Sequence, residues 1–271
     1  MQCWADRYEC ADFMAQDPSR VLQRYKMPHD LEVAAFISAM LSFGRRDLFL
    51  PKIEFLLDLA DKEGGPFYWL STGVHKKTFP PPEALPETSF YRFYSHQDIH
   101  LLFCRLEEIL SEAPSLGEYF CLKYQEARVM TEKDGTESKE KSCIKKKPAH
   151  LSQLIGEAFS GCSIVPKGKN SANKRVHMFL RWMVRQNSPV DLGLWNWYNP
   201  ADLWIPLDTH VIQQSIKLGL LPPSENAAKK NVFAPTATNA KKLTEVLAEI
   251  WPEDPCKGDF ALFGLGVDKN F

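Results

Sequence analysis

The sequence has almost no net charge. Thirty-three basic and 34 acidic residues leave −1, which argues against indiscriminate binding to a polyanion. It has no paired cysteines. The seven cysteines, at 3, 10, 104, 121, 143, 162 and 256, are odd in number and dispersed, and none shows C-x-x-C spacing. Only Cys256 lies in the C-terminal third, so a four-cysteine cluster there is excluded. Reduced, mostly structural thiols in a cytosolic protein are the reading that remains. There is no apolar run of transmembrane length and no signal peptide, so no membrane contact is expected. Internal repeats are absent. Almost no segment alternates with period two, and the fold class expected is therefore all-α.

What is present is helical periodicity, interrupted by loops. A short helix is expected around Arg7 to Met14, then a loop with Pro18 and Pro28. Asp30 is placed to cap the apolar run LEVAAFISAMLSFG, which Gly44 stops. A second helix follows, with Pro51 in its first turn and Gly64, Gly65 and Pro66 at its end. Residues 71–89 carry Pro80, Pro81, Pro82 and Pro86 and read as an irregular loop. Helices resume near Ser95 and again at SLGEYFCLKYQEARV. Residues 131–150 are charged and aperiodic and read as a mobile insertion. LSQLIGEAFS and NAKKLTEVLAEIW complete the regular segments outside the centre.

The centre is Ser171 to His210. Ala172, Val176, Phe179, Leu180 and Met183 recur at helical spacing and define a buried face. Lys174, His177, Arg181 and Arg185 fall at i, i+3, i+7 and i+11, a separate basic stripe. The helix ends at Asn187, Ser188 and Pro189. Asp208 then precedes THVIQQSIKLG, which reads as a helix from cap to stop. Residues 139–185 hold eleven Lys/Arg against two Glu, a local +9. A lysine, an aspartate and a cationic zone suit chemistry on a sugar-phosphate polymer.

At IPLDTHV the residues become specific. A hairpin, a helix bearing a lysine and then an aspartate in a [VL]-D-T-H turn resemble the helix-hairpin-helix DNA glycosylase superfamily. LEVAAFISAMLSFGRR resembles that superfamily's early helix. The words SANKRVHMFLRWMVR, VDLGLW, PLDTHV and DFALFGLG look closest to a bacterial family of conserved hypothetical proteins, similar in layout to the archaeal 8-oxoguanine DNA glycosylase. The similarity runs from about Asp17 to Val267. The chain departs from the superfamily in its hairpin, Val165-Pro166-Lys167-Gly168-Lys169-Asn170, which has one glycine where two are usual. Lysine is absent just after the hairpin, and Lys174 lies a turn later. The cysteines of the endonuclease III branch are missing.

The resemblance implies a two-lobed glycosylase fold. Residues 34–190 would form one lobe, with the hairpin and Lys174, and 1–33 plus 191–271 the other, with Asp208. It implies base-excision repair on an oxidised purine such as 8-oxoguanine, with β-lyase activity. Lys174 would be the nucleophile and Asp208 the stabiliser of positive charge on the sugar. Lys167, Gly168, Lys169, Arg175, Arg181 and Arg185 would contact DNA. Phe43, Met178, Asp259 and Phe263 would hold the flipped base. Trp195, Trp197, Tyr198 and Trp204 either stack on bases or fasten the insertion to the body. Double-stranded DNA with a damaged base is the expected partner of a monomer working at the bacterial nucleoid. No metal and no cofactor are expected. Two alternatives stay open: a monofunctional glycosylase using Asp208 and water, and a non-catalytic nucleic-acid-binding module on the same fold.

Overall fold

The computed structural model describes residues 1–10, 17–80, 84, 89–134, 150–222 and 234–267. The chain is mostly helical. No helix among the described residues is long and apolar enough to cross a membrane. One departure from an all-α chain follows the expected proline loop. There Ser89–Tyr91 (β1) pairs antiparallel with Tyr94–Ser95 (β2), and Arg92 turns between them at φ 53°.

The chain forms two compact units, one of 1–26, 34–53 and 166–271, the other of 27–33 and 54–165. This differs from the expected lobes, because 34–53 and 166–190 group with the N- and C-terminal residues and 27–33 with the middle of the chain. Local contacts explain the difference. Ser171 bridges Thr236, Phe179 meets Trp195 edge-on at 5.3 Å, and Arg185 donates to Asp254 at 2.7 Å.

The first unit contains α1 (Gln2–Tyr8), a 3-10 turn (Pro18–Arg24) and the ends of two helices, α2 (Pro28–Leu41) and α3 (Arg46–Lys62). The described part of the first helix thus lies earlier than Arg7 to Met14, of which residues 11–14 fall outside the described residues. In α2 Val33 to Ile37 and Ala39 to Leu41 are all buried apolar side chains, so this helix has no solvent face to make it amphipathic. It begins before Asp30, which does not cap it; Asp30 accepts instead from the Phe67 N–H at 2.9 Å. Pro51 lies inside α3, beyond its first turn. After the centre come α9 (Lys174–Val184), α10 (Thr209–Lys217), α11 (Ala237–Ile250) and α12 (Lys257–Val267). Their core joins Ile205, Leu207, Val211, Leu243, Leu247 and Leu262. α12 packs on α1 and α10. Gly264 permits the first contact, since a Cβ there would meet the Tyr8 ring at 2.2 Å.

The second unit holds α4 (Pro66–Ser71), α5 (His75–Thr78), the strand pair, α6 (His96–Glu112), α7 (Leu116–Asp134) and α8 (Leu151–Ala158). Ser95 starts α6 as expected, in a capping box with Asp98. α7 runs further than expected, to Asp134. Of the expected insertion, 135–149 lie outside the described residues, as does most of the polar loop after Pro222.

Candidate active site

Residues 167–171 make an exposed turn. The Ser171 N–H donates to the Gly168 carbonyl at 3.1 Å. Asn173 follows at φ 45°, a left-handed conformation that asparagine adopts more readily than most residues. Its Nδ2 donates back to the same Gly168 carbonyl at 3.1 Å. Ala172 N–H donates to Pro235 and Ala237 N–H to Asn170, which fixes the turn against the start of α11. The chain therefore enters α9 with Lys174 as its first residue. Lys167, Gly168 and Lys169 all face solvent.

Asp208 is the N-cap of α10 and divides its two oxygens. Oδ1 accepts from the Val211 N–H at 2.9 Å, and Oδ2 accepts from Lys174 Nζ at 2.6 Å. Burial alone would raise the Asp208 carboxyl. The Lys174 ammonium and the Val211 N–H outweigh burial and hold it below the ordinary carboxylate value. The pair lies on a cavity of about 620 Å³, which Phe43, Met178, Asp259 and Phe263 also line. Lys174 Nζ lies 5.5 Å from the Phe263 ring centre, and the Arg46 guanidinium lies 5.7 Å from it. Arg175 donates to the Met40 carbonyl and lies 4.9 Å over Phe43. Asp259 is buried at the cavity's edge. Burial pushes its carboxyl up to about 6, against the opposing pull of Arg181 and Lys174.

The model of a family described as a protein of unknown function, DUF2400, matches residues 17–268. The chain belongs to that family. No curated protein and no solved structure matches it. The matched residues take in the whole cavity lining, from Asp17 to Phe263.

Two of the expected DNA contacts must be withdrawn. Arg181 and Arg185 are 4% and 2% exposed and do not form a solvent-facing stripe. Arg181 pairs with Asp191 at 3.2 Å and with Asp259 at 2.5 Å. Arg185 pairs with Asp191 at 2.5 Å, Asp254 at 2.7 Å and Glu9 at 2.9 Å. Burial disfavours both cations, but the surrounding carboxylates more than offset it, so each guanidinium is held more firmly protonated than usual. Phe260 stacks beneath both, 4.4 and 5.1 Å from their charge centres. Buried and paired with acids in this way, neither guanidinium is presented to a phosphate at the surface, although Arg181 also lines the cavity. The local +9 is correspondingly smaller at the surface. Five of its lysines lie in 139–147, outside the described residues, and these two arginines are neutralised by acids from other parts of the chain.

The aromatic residues after α9 fasten the segment rather than present it. Trp195 and Tyr198 are buried, Trp195 and Trp197 stack at 5.5 Å, and Trp204 stacks on His177 at 5.6 Å. Sequence reasoning missed Asp17, Arg46 and His210, which line the cavity, and Asp191, Asp254 and Glu9, which hold the arginines. A signal existed for Asp191 alone. Its place in the short turn PVDLG just after two helix-face arginines puts an acid within reach of both. The others come from residues far along the chain, and no local pattern marks them.

Proposed function

We propose that this DUF2400 member removes damaged bases from double-stranded DNA, as a glycosylase with lyase activity built on the helix-hairpin-helix glycosylase plan. The observation that carries this reading is the 2.6 Å contact of Lys174 Nζ with Asp208 Oδ2 on a cavity also lined by Phe43, Met178, Asp259 and Phe263. Volumes of about 300–1,000 Å³ are usual for small-molecule pockets, so a flipped base fits the space. An oxidised purine such as 8-oxoguanine is the proposed substrate class.

The chemistry follows from the pair. Solvent water takes a proton from the Lys174 ammonium. The freed lone pair forms a bond to the sugar C1′, and the glycosidic C–N bond breaks with its electrons going to the base, which gains a proton. Opening of the sugar ring gives a protonated imine on Lys174. Loss of a C2′ proton then expels the 3′ phosphate. The Asp208 carboxylate is the anion that stabilises positive charge developing on the sugar, and its low proton affinity keeps it anionic for that task. Phe263 and Phe43 offer ring faces to the base. The exposed Lys167–Gly168–Lys169 turn supports backbone binding by charge.

The same ion pair favours one second reading. A lysine that stays paired with Asp208 orients the carboxylate without attacking, and water would then be the nucleophile. A panel of duplex oligonucleotides, each with one damaged base, tests the proposal. Base release with strand scission on at least one purine lesion is expected. Binding that ignores the lesion, with no base released, would leave a nucleic-acid-binding module and end the enzyme reading.

A further inference from the structure

The second unit contains a cluster that base excision does not use. On α6, His100, Cys104 and Glu107 fall at i, i+4 and i+7, one stripe of the helix. His75, the first residue of α5, reaches the same stripe. Its Nε2 is 3.7 Å from Glu107 Oε2, and Cys104 Sγ is 3.4 Å from His100 Nε2. Ligand atoms of His75, Cys104 and Glu107 all lie within 4.8 Å of one another.

His75 is 0% exposed, and neither of its ring nitrogens has a hydrogen-bond partner; His100 Nδ1 is likewise buried without one. Buried polar atoms in folded proteins nearly always find a partner. The rings of Trp69 and Phe103 stand edge-on about 6 Å away and supply none, and the Trp69 backbone acts on the imidazole more weakly than any other neighbour. Burial lowers the His75 imidazole to about 4, so its lone pair is unprotonated at neutral pH. Gly73, at φ 72°, leaves room for the carboxylate, since a Cβ there would meet Glu107 Oε1 at 2.9 Å.

We propose that His75, Cys104 and Glu107 bind a divalent ion of the zinc class, with His100 as the fourth ligand. A tetrahedron with Zn–S of about 2.3 Å and Zn–N or Zn–O of about 2.1 Å has edges of roughly 3.4–3.6 Å. The two short separations, 3.7 and 3.4 Å, lie within about 0.3 Å of such edges, and the ligand atoms of His75, Cys104 and Glu107 are gathered within 4.8 Å. One thiolate, two imidazoles and one carboxylate suit zinc better than a hard oxygen-seeking ion. The ion displaces Lys76, which pairs with Glu107 at 2.7 Å and is half exposed, free to turn outward. The Cys104 thiol releases its proton to solvent as the S–metal bond forms. With four protein ligands the site is closed and structural, a clasp between α5 and α6. The ligands escape a search for C-x-x-C because they come as H-x3-C-x2-E plus a distant histidine.

The test uses the full chain, stripped of metal and titrated with Zn²⁺ and, separately, Co²⁺. One ion per chain, a higher melting temperature and a near-ultraviolet thiolate-to-cobalt band are expected. Cys104→Ser should abolish the band, and Glu107→Gln should weaken binding by at least ~10-fold. A chain that binds no stoichiometric Zn²⁺ overturns the proposal. So does a band that survives Cys104→Ser, which would assign the ion to another thiol such as exposed Cys3. Should Cys104→Ser fail to fold, unchanged affinity in Glu107→Gln overturns the proposal and weakened affinity sustains it. None of these outcomes depends on base excision.

Discussion

Asp208 shows how a capping residue can carry chemistry. One oxygen satisfies the helix and the other meets Lys174, so removing its charge leaves α10 capped but Lys174 unpaired. Asp208→Asn should therefore lower the melting temperature by the loss of the Lys174 pair alone, with the cap kept, while base release slows by roughly 10²–10³. Arg185 is the opposite case. It is buried among Glu9, Asp191 and Asp254, and Arg185→Ala leaves those acids without a cation. Breaking a buried pair from one side costs about 3–5 kcal/mol, so urea unfolding should show a loss of that size. Lys169 lies on the exposed turn. Lys169→Ala should leave stability unchanged and lower the log–log salt slope of DNA binding by roughly 0.9. A slope unchanged in Lys169→Ala would place any bound DNA away from this turn.

At the scale of elements, α12 depends on small residues for its approach to α1. Gly264→Ala drives a methyl into the Tyr8 ring, and overpacking of this kind costs about 1–3 kcal/mol. Tyr8→Ala combined with Gly264→Ala should lose less than the sum of the single changes; strict additivity in thermal unfolding would contradict the contact. Elements were also where the sequence was most legible. Apolar spacing located the helix after Ser171, and Asp208 stood out as a cap because THV follows it. The pairing of Lys174 with Asp208 was legible only through the D-T-H turn and the helix before it. The strand pair at Ser89–Ser95 was hidden because three and two residues are too few to display an alternating pattern. The burial of Arg181 and Arg185 was hidden for another reason. Helical spacing shows that two cations share a face, but what covers that face is set by Asp254 and Asp259, some seventy residues on.

For the whole molecule, buried Asp259 and half-buried Asp208 make stability depend on pH in opposite senses. Asp259, raised to about 6 by burial, binds its proton more tightly folded than unfolded. Its stabilising contribution is complete below the ordinary value near 3.8 and is lost as pH rises through about 6. Asp208, held low, contributes above about 3.8 and loses that contribution as pH falls through its lowered folded value. From pH 4.5 to 7.5 the Asp259 effect should therefore dominate the difference between wild type and Asp259→Asn. The wild type should lose on the order of 2 kcal/mol relative to the variant, read from urea midpoints at both pH values. Equal pH dependence in the two proteins would show that Asp259 is not raised. The central claim, that Lys174 is the nucleophile, is tested most directly by borohydride trapping on duplex DNA carrying a damaged purine. The wild type should yield a covalent protein–DNA adduct, and Lys174→Gln, with similar length and helix propensity, should yield none while still binding the duplex. An adduct that persists in Lys174→Gln, or base release by the wild type with no adduct at all, would contradict it.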